Sequence, residues 1–133
     1  MEQRISFVTL GVKDLARSID FYENKLGWKR SELSNGNMIM FQMNGVNLAI
    51  YPREDMVKDA TVNSMGSGFK GVTFCHNVWS AKKVDLLINS LREKGVKIVR
   101  EPQKVSWGGY NSYIADPDDN LWEIAYSPEF NIE

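Results

Sequence analysis

The segment from Tyr113 to Ile124 reads Tyr-Ile-Ala-Asp-Pro-Asp-Asp-Asn-Leu-Trp-Glu-Ile, and it decides how the second half of the chain folds. Its Asp-Pro-Asp-Asp-Asn centre predicts a turn, because proline presets φ and the Asp and Asn side chains cap their own backbone and tolerate positive φ. Strand-forming residues flank this turn, so the segment predicts a β-hairpin. Glu123 lies between Trp122 and Ile124 on the second strand, where a carboxylate needs solvent, a partner, a metal or a ligand.

The first half of the chain predicts a strand, a helix and then three strands. Their ranges are Ile5–Val12, about Leu15–Lys25, Lys29–Leu33, Met38–Met43 and Asn47–Tyr51. The helix is indicated by an apolar face that starts at Leu15, by Asp14 as N-cap and by Gly27 at its end. Two Asn-Gly pairs predict tight turns between the later strands.

The second half predicts the same order of elements. Its ranges are Gly71–Val78, helix Ala81–Lys94, Val96–Arg100, Gly109–Ala115 and Leu121–Tyr126. Matching Val12 to Val78 and Gly27 to Gly95 gives an offset of 66 to 68 residues between the halves. The chain therefore predicts a duplicated βαβββ unit.

This duplication resembles the vicinal oxygen chelate superfamily, which includes glyoxalases, bleomycin-resistance proteins and extradiol dioxygenases. The marks that carry the resemblance are Val12-Lys13-Asp14-Leu15 with Ser18, Phe21 and Tyr22, then Leu26-Gly27, Trp107-Gly108 and a turn similar to the family's Asp-Pro-Asp-Gly-Asn-x-x-Glu. The resemblance covers about residues 5 to 126. It implies an α+β fold in which two tandem βαβββ modules present concave mixed sheets that form a cleft.

The resemblance also implies how the chain is organised. We expect a single domain over residues 1–133, with module one at about 5–51, a linker at 52–69 and module two at about 70–126. The linker is polar and glycine-containing, and it is interpreted either as a plain connection or as a lid over the site. The family further implies a homodimer.

The bulk composition excludes several classes of function. Sixteen basic and seventeen acidic residues among 133 nearly cancel, so nothing favours nucleic acid or a membrane surface as a partner. No apolar run approaches the ~20 residues of a membrane span. The single cysteine, Cys75, excludes an internal disulfide and favours a cytoplasmic protein, and the start Met1-Glu2-Gln3-Arg4 does not resemble a signal peptide.

The resemblance assigns the family's metal-ligand positions to four residues of this chain. They are Phe7, Ala49, Gly71 and Glu123. Three of these have no donor atom in the side chain, whereas a zinc or iron site needs three or four N, O or S donors. We therefore expect no metal and no cofactor.

Two other residues could take part in chemistry, and strand alternation separates them. His76, the one histidine, is predicted on the face opposite the cleft, as a partly buried structural residue. Cys75 shares the cleft parity of Thr73 and is interpreted as a small core residue that could line the cleft. No histidine is placed beside it to generate a thiolate.

The residues predicted to face the cleft describe an apolar and aromatic pocket with a few polar groups, which is typical of a small-molecule site. The predicted ligand-binding residues are Phe7, Thr9, Ala49, Tyr51, Arg53, Gly71, Thr73, Trp107 and Glu123. Tyr110 or Tyr113 is expected to join the wall. The alternative is that these side chains only fill a core.

Glu123 decides between the functions that remain open. It is interpreted as a ligand contact, as an ion-pair partner of Arg53 or another base, or as a catalytic acid or base. The leading hypothesis is a metal-independent protein that binds a small aromatic or amphiphilic molecule. The alternatives are an enzyme of the same superfamily, of the lyase, isomerase or dioxygenase type, that uses Glu123 as base or metal ligand, and an accessory subunit without a ligand.

Overall fold

The structure is a computed structural model that describes residues 1–3, 5–66, 68–70, 72–106 and 108–129. The chain divides into two compact units, Met1–Ser67 and Gly68–Glu133. Each unit has its own mixed sheet with a helical layer, so the predicted α+β fold with two mixed sheets is confirmed. Within the described ranges, no helix combines the length and apolar character needed to cross a membrane.

The first unit contains three strands in the order β1-β3-β2. Strand β1 (Phe7–Val12) runs parallel to β3 (Asn47–Pro52), and β2 (Ile39–Gln42) lies antiparallel on the other side of β3. The predicted strand at Lys29–Leu33 is wrong, because this segment has no strand conformation. It contacts the sheet through the Ser31 N–H, which donates to the Met40 carbonyl at 2.7 Å.

The predicted first helix is present, but its second half is wound differently. Helix α1 (Leu15–Ile19) begins at Asp14, whose carboxylate accepts from the Arg17 N–H at 3.1 Å, and continues as a π-helical turn over Asp20–Lys25. This segment buries Phe21 and Tyr22. The Tyr22 ring lies 5.9 Å from the Phe41 ring of β2, so the helical layer covers one face of the first sheet.

The predicted linker also contains a helix. Helix α2 (Arg53–Ala60) follows β3 directly and ends at Thr61 with φ of 57°. It packs against β1 and β3. A Cβ added to Gly11 would lie 3.1 Å from the Met56 sulfur, so this glycine permits the close approach of α2 to the sheet.

The second unit has four strands in the order β4-β7-β6-β5. Strand β4 (Thr73–Asn77) runs parallel to β7 (Leu121–Tyr126), whereas β6 (Tyr110–Ala115) is antiparallel to both β7 and β5 (Lys97–Lys104). Helix α3 (Ala81–Glu93), capped by Ser80, covers one face of this sheet. It buries Val84, Ile88 and Leu91 opposite Ile114, Trp122 and Ile124.

The turn between β6 and β7 forms as predicted. Asp116 is 3% exposed, and its Oδ1 accepts from the backbone N–H groups of Asp118 and Asn120 at 2.9 and 2.8 Å. Its Oδ2 accepts from the Asn120 amide at 2.8 Å. Asp119 has φ of 61°, a conformation that Asp and Gly tolerate better than most residues. The turn thus fixes the register in which Glu123 enters β7.

Candidate functional site

Strand pairing in the second unit places several functional side chains on one sheet face, opposite to α3. Cys75 of β4 is paired with Glu123 of β7, and Glu123 is paired in turn with Tyr113 of β6. Side chains alternate along a strand, so Thr73, Leu121 and Asn111 share this face. We call it the Glu123 face. Its residues are Thr73, Cys75, Asn77, Arg100, Asn111, Tyr113, Ala115, Leu121 and Glu123.

Arg100 reaches the Glu123 face because the β5–β6 pairing is irregular. The register shifts between Ile98 and Arg100, and again between Arg100 and Gln103. Regular alternation from Ile98 would place Arg100 with Ile98 on the helix side, but the shift pairs it with Tyr113 instead. Its guanidinium lies 5.3 Å from the Tyr113 ring centre.

A chain of side-chain hydrogen bonds runs across the Glu123 face. Arg100 Nη2 donates to Asn111 Oδ1, and Asn111 Nδ2 donates to Glu123 Oε2 at 2.6 Å. Asn111 is 3% exposed. Because Arg100 can only donate, it fixes the orientation of the Asn111 amide, and that amide then holds the carboxylate.

The electrostatics of the Glu123 face keep the two titratable neighbours of Glu123, the Cys75 thiol and the Tyr113 hydroxyl, protonated. Cys75 is exposed, so its prediction as a small core residue is wrong, although it lies on the predicted strand face. Partial desolvation still raises the pKa of its thiol to about 11, with further contributions from the charge of Glu123 and a hydrogen bond to it. The Cys75 sulfur also lies 3.2 Å from Asn77 Oδ1. The thiol has one proton to donate, and a hydrogen bond to either Glu123 or Asn77 stabilises the protonated form. Burial and the Glu123 charge likewise raise the pKa of Tyr113.

The structure gives a position to three further residues that the sequence singled out, Tyr110, Tyr113 and His76. Tyr113 lies on the Glu123 face, whereas Tyr110 lies on the helix side, where its hydroxyl donates to Asp85 at 2.7 Å. His76 is paired with Ile124 and lies on the helix side as predicted, but it is exposed instead of partly buried. Desolvation still lowers the pKa of His76.

The predicted site residues of the first unit share one face of its sheet. Phe7 is paired with Asn47, Thr9 with Ala49, and Gly11 with Tyr51. Phe7 is 46% exposed and Ala49 is fully buried. Arg53 is the first residue of α2, and its guanidinium donates to the Ser64 carbonyl at 2.6 Å. That the two unit faces line one cleft stays a prediction.

The remaining predicted residues are Thr73, Gly71 and Trp107. Thr73 is exposed and paired with Leu121 on the Glu123 face. Gly71 and Trp107 lie outside the described residues. When Ala49 of β3 is matched to Glu123 of β7, strand pairing makes Thr73 the residue that corresponds to Phe7. Thr73 lies two residues after Gly71, which sequence matching assigns to that position.

The donor chemistry at the family's metal positions does not fit a transition-metal ion. The positions that the resemblance assigns hold Phe7, Ala49, Gly71 and Glu123, and of these side chains only Glu123 is a strong donor. The same is true if Thr73 is taken instead of Gly71. In the described part of the chain, no three His, Cys, Asp or Glu side chains are grouped so that they could hold a metal. Three or four such donors are needed.

Sequence reasoning missed Arg100 and Asn111. Asn111 could have been found, because alternation from Glu123 through a hairpin of known register places it on the same face. Arg100 could not, because its orientation depends on a register shift that no local residue pattern announces. The site therefore combines a predicted acid with two unpredicted residues that hold it.

Comparison with known proteins identifies the class of protein. The sequence profile of the Glyoxalase/Bleomycin resistance protein/Dioxygenase superfamily matches residues 4–124. The chain belongs to this superfamily, as the duplicated sheets and the Asp116 turn indicate.

Individual relatives give a more particular placement. The chain is 32% identical to a glyoxalase-related enzyme from Fulvimarina pelagi, with a TM-score of 0.88 over 99% of this chain and 94% of that one. It is 30% identical over 125 residues to the lactoylglutathione lyase GLX1 of Arabidopsis thaliana, spanning 92% of this chain but 44% of that protein. It is 27% identical to YraH of Bacillus subtilis, over 88% of this chain and 93% of the relative.

Proposed function

We propose that this protein binds a small aromatic or amphiphilic molecule on the Glu123 face without the help of a metal. The observation that carries the proposal is the hydrogen bond of 2.6 Å from the Asn111 amide to Glu123, with Arg100 fixing that amide. A carboxylate held in this way is preorganised, so a ligand need not immobilise it on binding.

The chemistry of the face suggests what the ligand offers. Glu123 is half-buried and keeps acceptor capacity beyond its bond to Asn111, so it suits an amine, amide or hydroxyl donor. The Tyr113 ring beside it offers a surface for a flat or apolar group. The protonated thiol of Cys75 adds a small neutral contact and no nucleophile.

The proposal is tested with a compound-library thermal-shift screen followed by calorimetry on the hits. Glu123→Gln preserves shape but removes the charge, and we expect it to weaken binding tenfold or more, which is about 1.4 kcal/mol. Glu101→Gln is the matched control, because Glu101 is an exposed carboxylate on β5 that pairs with Arg92. Equal affinity of Glu123→Gln and the wild type would contradict the proposal.

Metal independence is tested separately, by elemental analysis of protein purified without chelator. We expect far less than one transition-metal ion per chain, because the donor set at Phe7, Ala49, Gly71 and Glu123 is too poor. Near one Zn, Fe, Mn or Ni per chain, lost in Glu123→Ala, would refute this part of the proposal.

An enzyme is the second candidate, and the similarity to a lactoylglutathione lyase supports it. In that case Glu123 is the base or a metal ligand. The test is an assay of lactoylglutathione lyase activity with and without added divalent metals, comparing the wild type, Glu123→Gln and Glu101→Gln. Activity that only Glu123→Gln abolishes would favour this candidate over a binding protein.

Assembly and location are also part of the proposal. We expect a homodimer, which the family resemblance supports, and a cytoplasmic location, which the single cysteine supports. Light scattering coupled to size exclusion should give the mass of two chains. A monomer at all concentrations would refute the dimer.

A further inference from the structure

A cavity of about 260 Å³ opens on the second unit, beside the Glu123 face. Leu121 and Ala115, which belong to the Glu123 face, line it, and they lie two residues from Glu123 and Tyr113 respectively. Val99 of β5 joins them at the point where the strand register shifts. The cavity therefore continues the proposed ligand surface toward the Asp116 turn.

The lining of this cavity leaves apolar surface in contact with water. Phe69 is 71% exposed, Val72 is 51% exposed and Val99 is 46% exposed. Covering such surface is favourable in proportion to the apolar area removed from water.

Lys70 brings a positive charge to the edge of this cavity. Its ammonium group donates to the Asp118 carbonyl oxygen at 2.7 Å and to Asn120 Oδ1 at 3.2 Å. Both acceptors are uncharged, and an ammonium group has three N–H donors. In the described residues, the charge of Lys70 is therefore positioned by two hydrogen bonds that do not neutralise it, and one donor is left over.

The Asp116 turn fixes the place of Lys70. Asn120 is 7% exposed, and its amide nitrogen donates to Asp116 Oδ2 at 2.8 Å, so its amide oxygen must point the other way, toward Lys70. The turn that sets the strand register thus also orients a cation. Lys97, the second lysine that lines the cavity, differs from Lys70 because its charge is paired: its ammonium nitrogen lies 3.2 Å from Asp119 Oδ1.

We infer that this cavity binds a small amphiphilic anion, with its apolar part against Val72, Val99 and Leu121 and its charged group on Lys70. The inference rests on the proposed function, because it names the class of ligand that the same sheet face takes. Carboxylate and phosphate share the chemistry that an ammonium group recognises, and the experiment separates them.

The experiment compares an isosteric acid and amide, which differ in charge, with a phosphate that carries the same ring. Phenylacetate, phenylacetamide and phenyl phosphate are titrated into protein with ¹³C-labelled Val and Leu methyl groups. We expect phenylacetate to shift the methyl signals of Val72, Val99 and Leu121 and to leave those of Val12 and Val84 in place. Phenylacetamide should bind at least tenfold more weakly, and the relative affinity of phenyl phosphate identifies the preferred anion.

Variants then identify the anchor. Lys70→Met should weaken phenylacetate binding about tenfold and remove the preference for acid over amide. Lys97→Met is the matched control and should change affinity less than threefold, because Asp119 already pairs with that lysine. Equal binding of acid and amide, shifts confined to other methyl groups, or an unchanged affinity in Lys70→Met would each overturn the inference.

The inference and the function on which it rests fail in different measurements, because ionised phenylacetate has no N–H or O–H group to donate to Glu123, whereas the library hits test Glu123 directly. Loss of phenylacetate binding in Lys70→Met, together with library hits that bind Glu123→Gln as tightly as the wild type, would support the anion site and count against Glu123 as the anchor. Library hits that Glu123→Gln weakens, together with phenylacetate binding that Lys70→Met leaves unchanged, would support the proposed function and overturn the anion site.

Discussion

The two sheets of this protein share a backbone plan but differ in what they present on corresponding faces. Each has an outer parallel pair, β1 with β3 and β4 with β7, followed by an antiparallel strand. In the first sheet, Ala49 occupies the place that Glu123 occupies in the second, opposite Thr9 instead of Cys75. The scaffold is thus duplicated, whereas the chemistry is concentrated in one copy.

The faces also differ in how they are covered and charged. Helix α2 packs over the Gly11 end of the first face and brings Arg53 beside Gly11. The strand residues that form this face are uncharged: Phe7, Thr9, Gly11, Asn47, Ala49 and Tyr51. The second face carries the linked side chains of Arg100, Asn111 and Glu123 and opens into a cavity. A carboxylate at this strand position is tolerated where an amide and a guanidinium accompany it.

Placing a carboxylate on the first sheet tests the difference between the two faces most directly. We expect Ala49→Glu to lower the free energy of unfolding by about 3–5 kcal/mol, because Ala49 is fully buried and a carboxylate there loses its hydration. Ala49→Met controls for added volume and should cost about 1–3 kcal/mol. Urea unfolding of the variants measures both values.

The pH dependence of this variant separates charge from size. Burial raises the pKa of the introduced carboxyl group in the folded state, so stability returns as pH falls through that raised pKa and is fully recovered once pH is below the unfolded pKa of ~4.3. The same stability is lost again as pH rises through this window. Ala49→Met should not show this dependence relative to the wild type. Equal stability of Ala49→Glu and the wild type at pH 7 would mean that the first face can hold an acid as the second does.

A second prediction compares two aspartates whose carboxylates accept backbone hydrogen bonds, Asp116 in the second unit and Asp14 in the first. Asp116→Ala should lower the free energy of unfolding by about 3 kcal/mol, since it removes three hydrogen bonds to a buried carboxylate. Asp14→Ala, which removes the exposed N-cap of α1 in the first unit, should cost about 1 kcal/mol. Equal losses in the two variants would show that the Asp116 turn has no special weight in the second unit.

Local sequence signals predicted the parts of the fold that local chemistry determines. Strand β7, the Asp116 turn and helix α3 with its Ser80 cap are present at or within one residue of their predicted bounds. The strand at Lys29–Leu33 and the unbroken α-helix to Lys25 were wrong. Both depend on packing against the first sheet, which overrides propensity.

The site was predictable only in part, for the same reason. Glu123 follows from its strand alternation and from the family's turn. The contributions of Arg100 and Lys70 depend instead on a register shift in β5 and on hydrogen bonds spanning 48 and 50 residues. Helix α2 was missed because its polar sequence has no apolar stripe, and it packs through Met56 near Gly11.

The smallest expected effect concerns the Cys75 thiol, whose pKa reports the charge of Glu123 on the second sheet without a change in the fold. Alkylation by iodoacetamide followed against pH should give a thiol pKa of about 11. Glu123→Gln should lower that pKa, because the charge opposite the thiol is removed, but should leave it above the ordinary value of 9.0, because burial is the larger cause. Glu101→Gln, on β5, should leave the profile unchanged. A thiol pKa near 9.0 in the wild type, or no difference between it and Glu123→Gln, would show that the carboxylate does not act on its cross-strand neighbour.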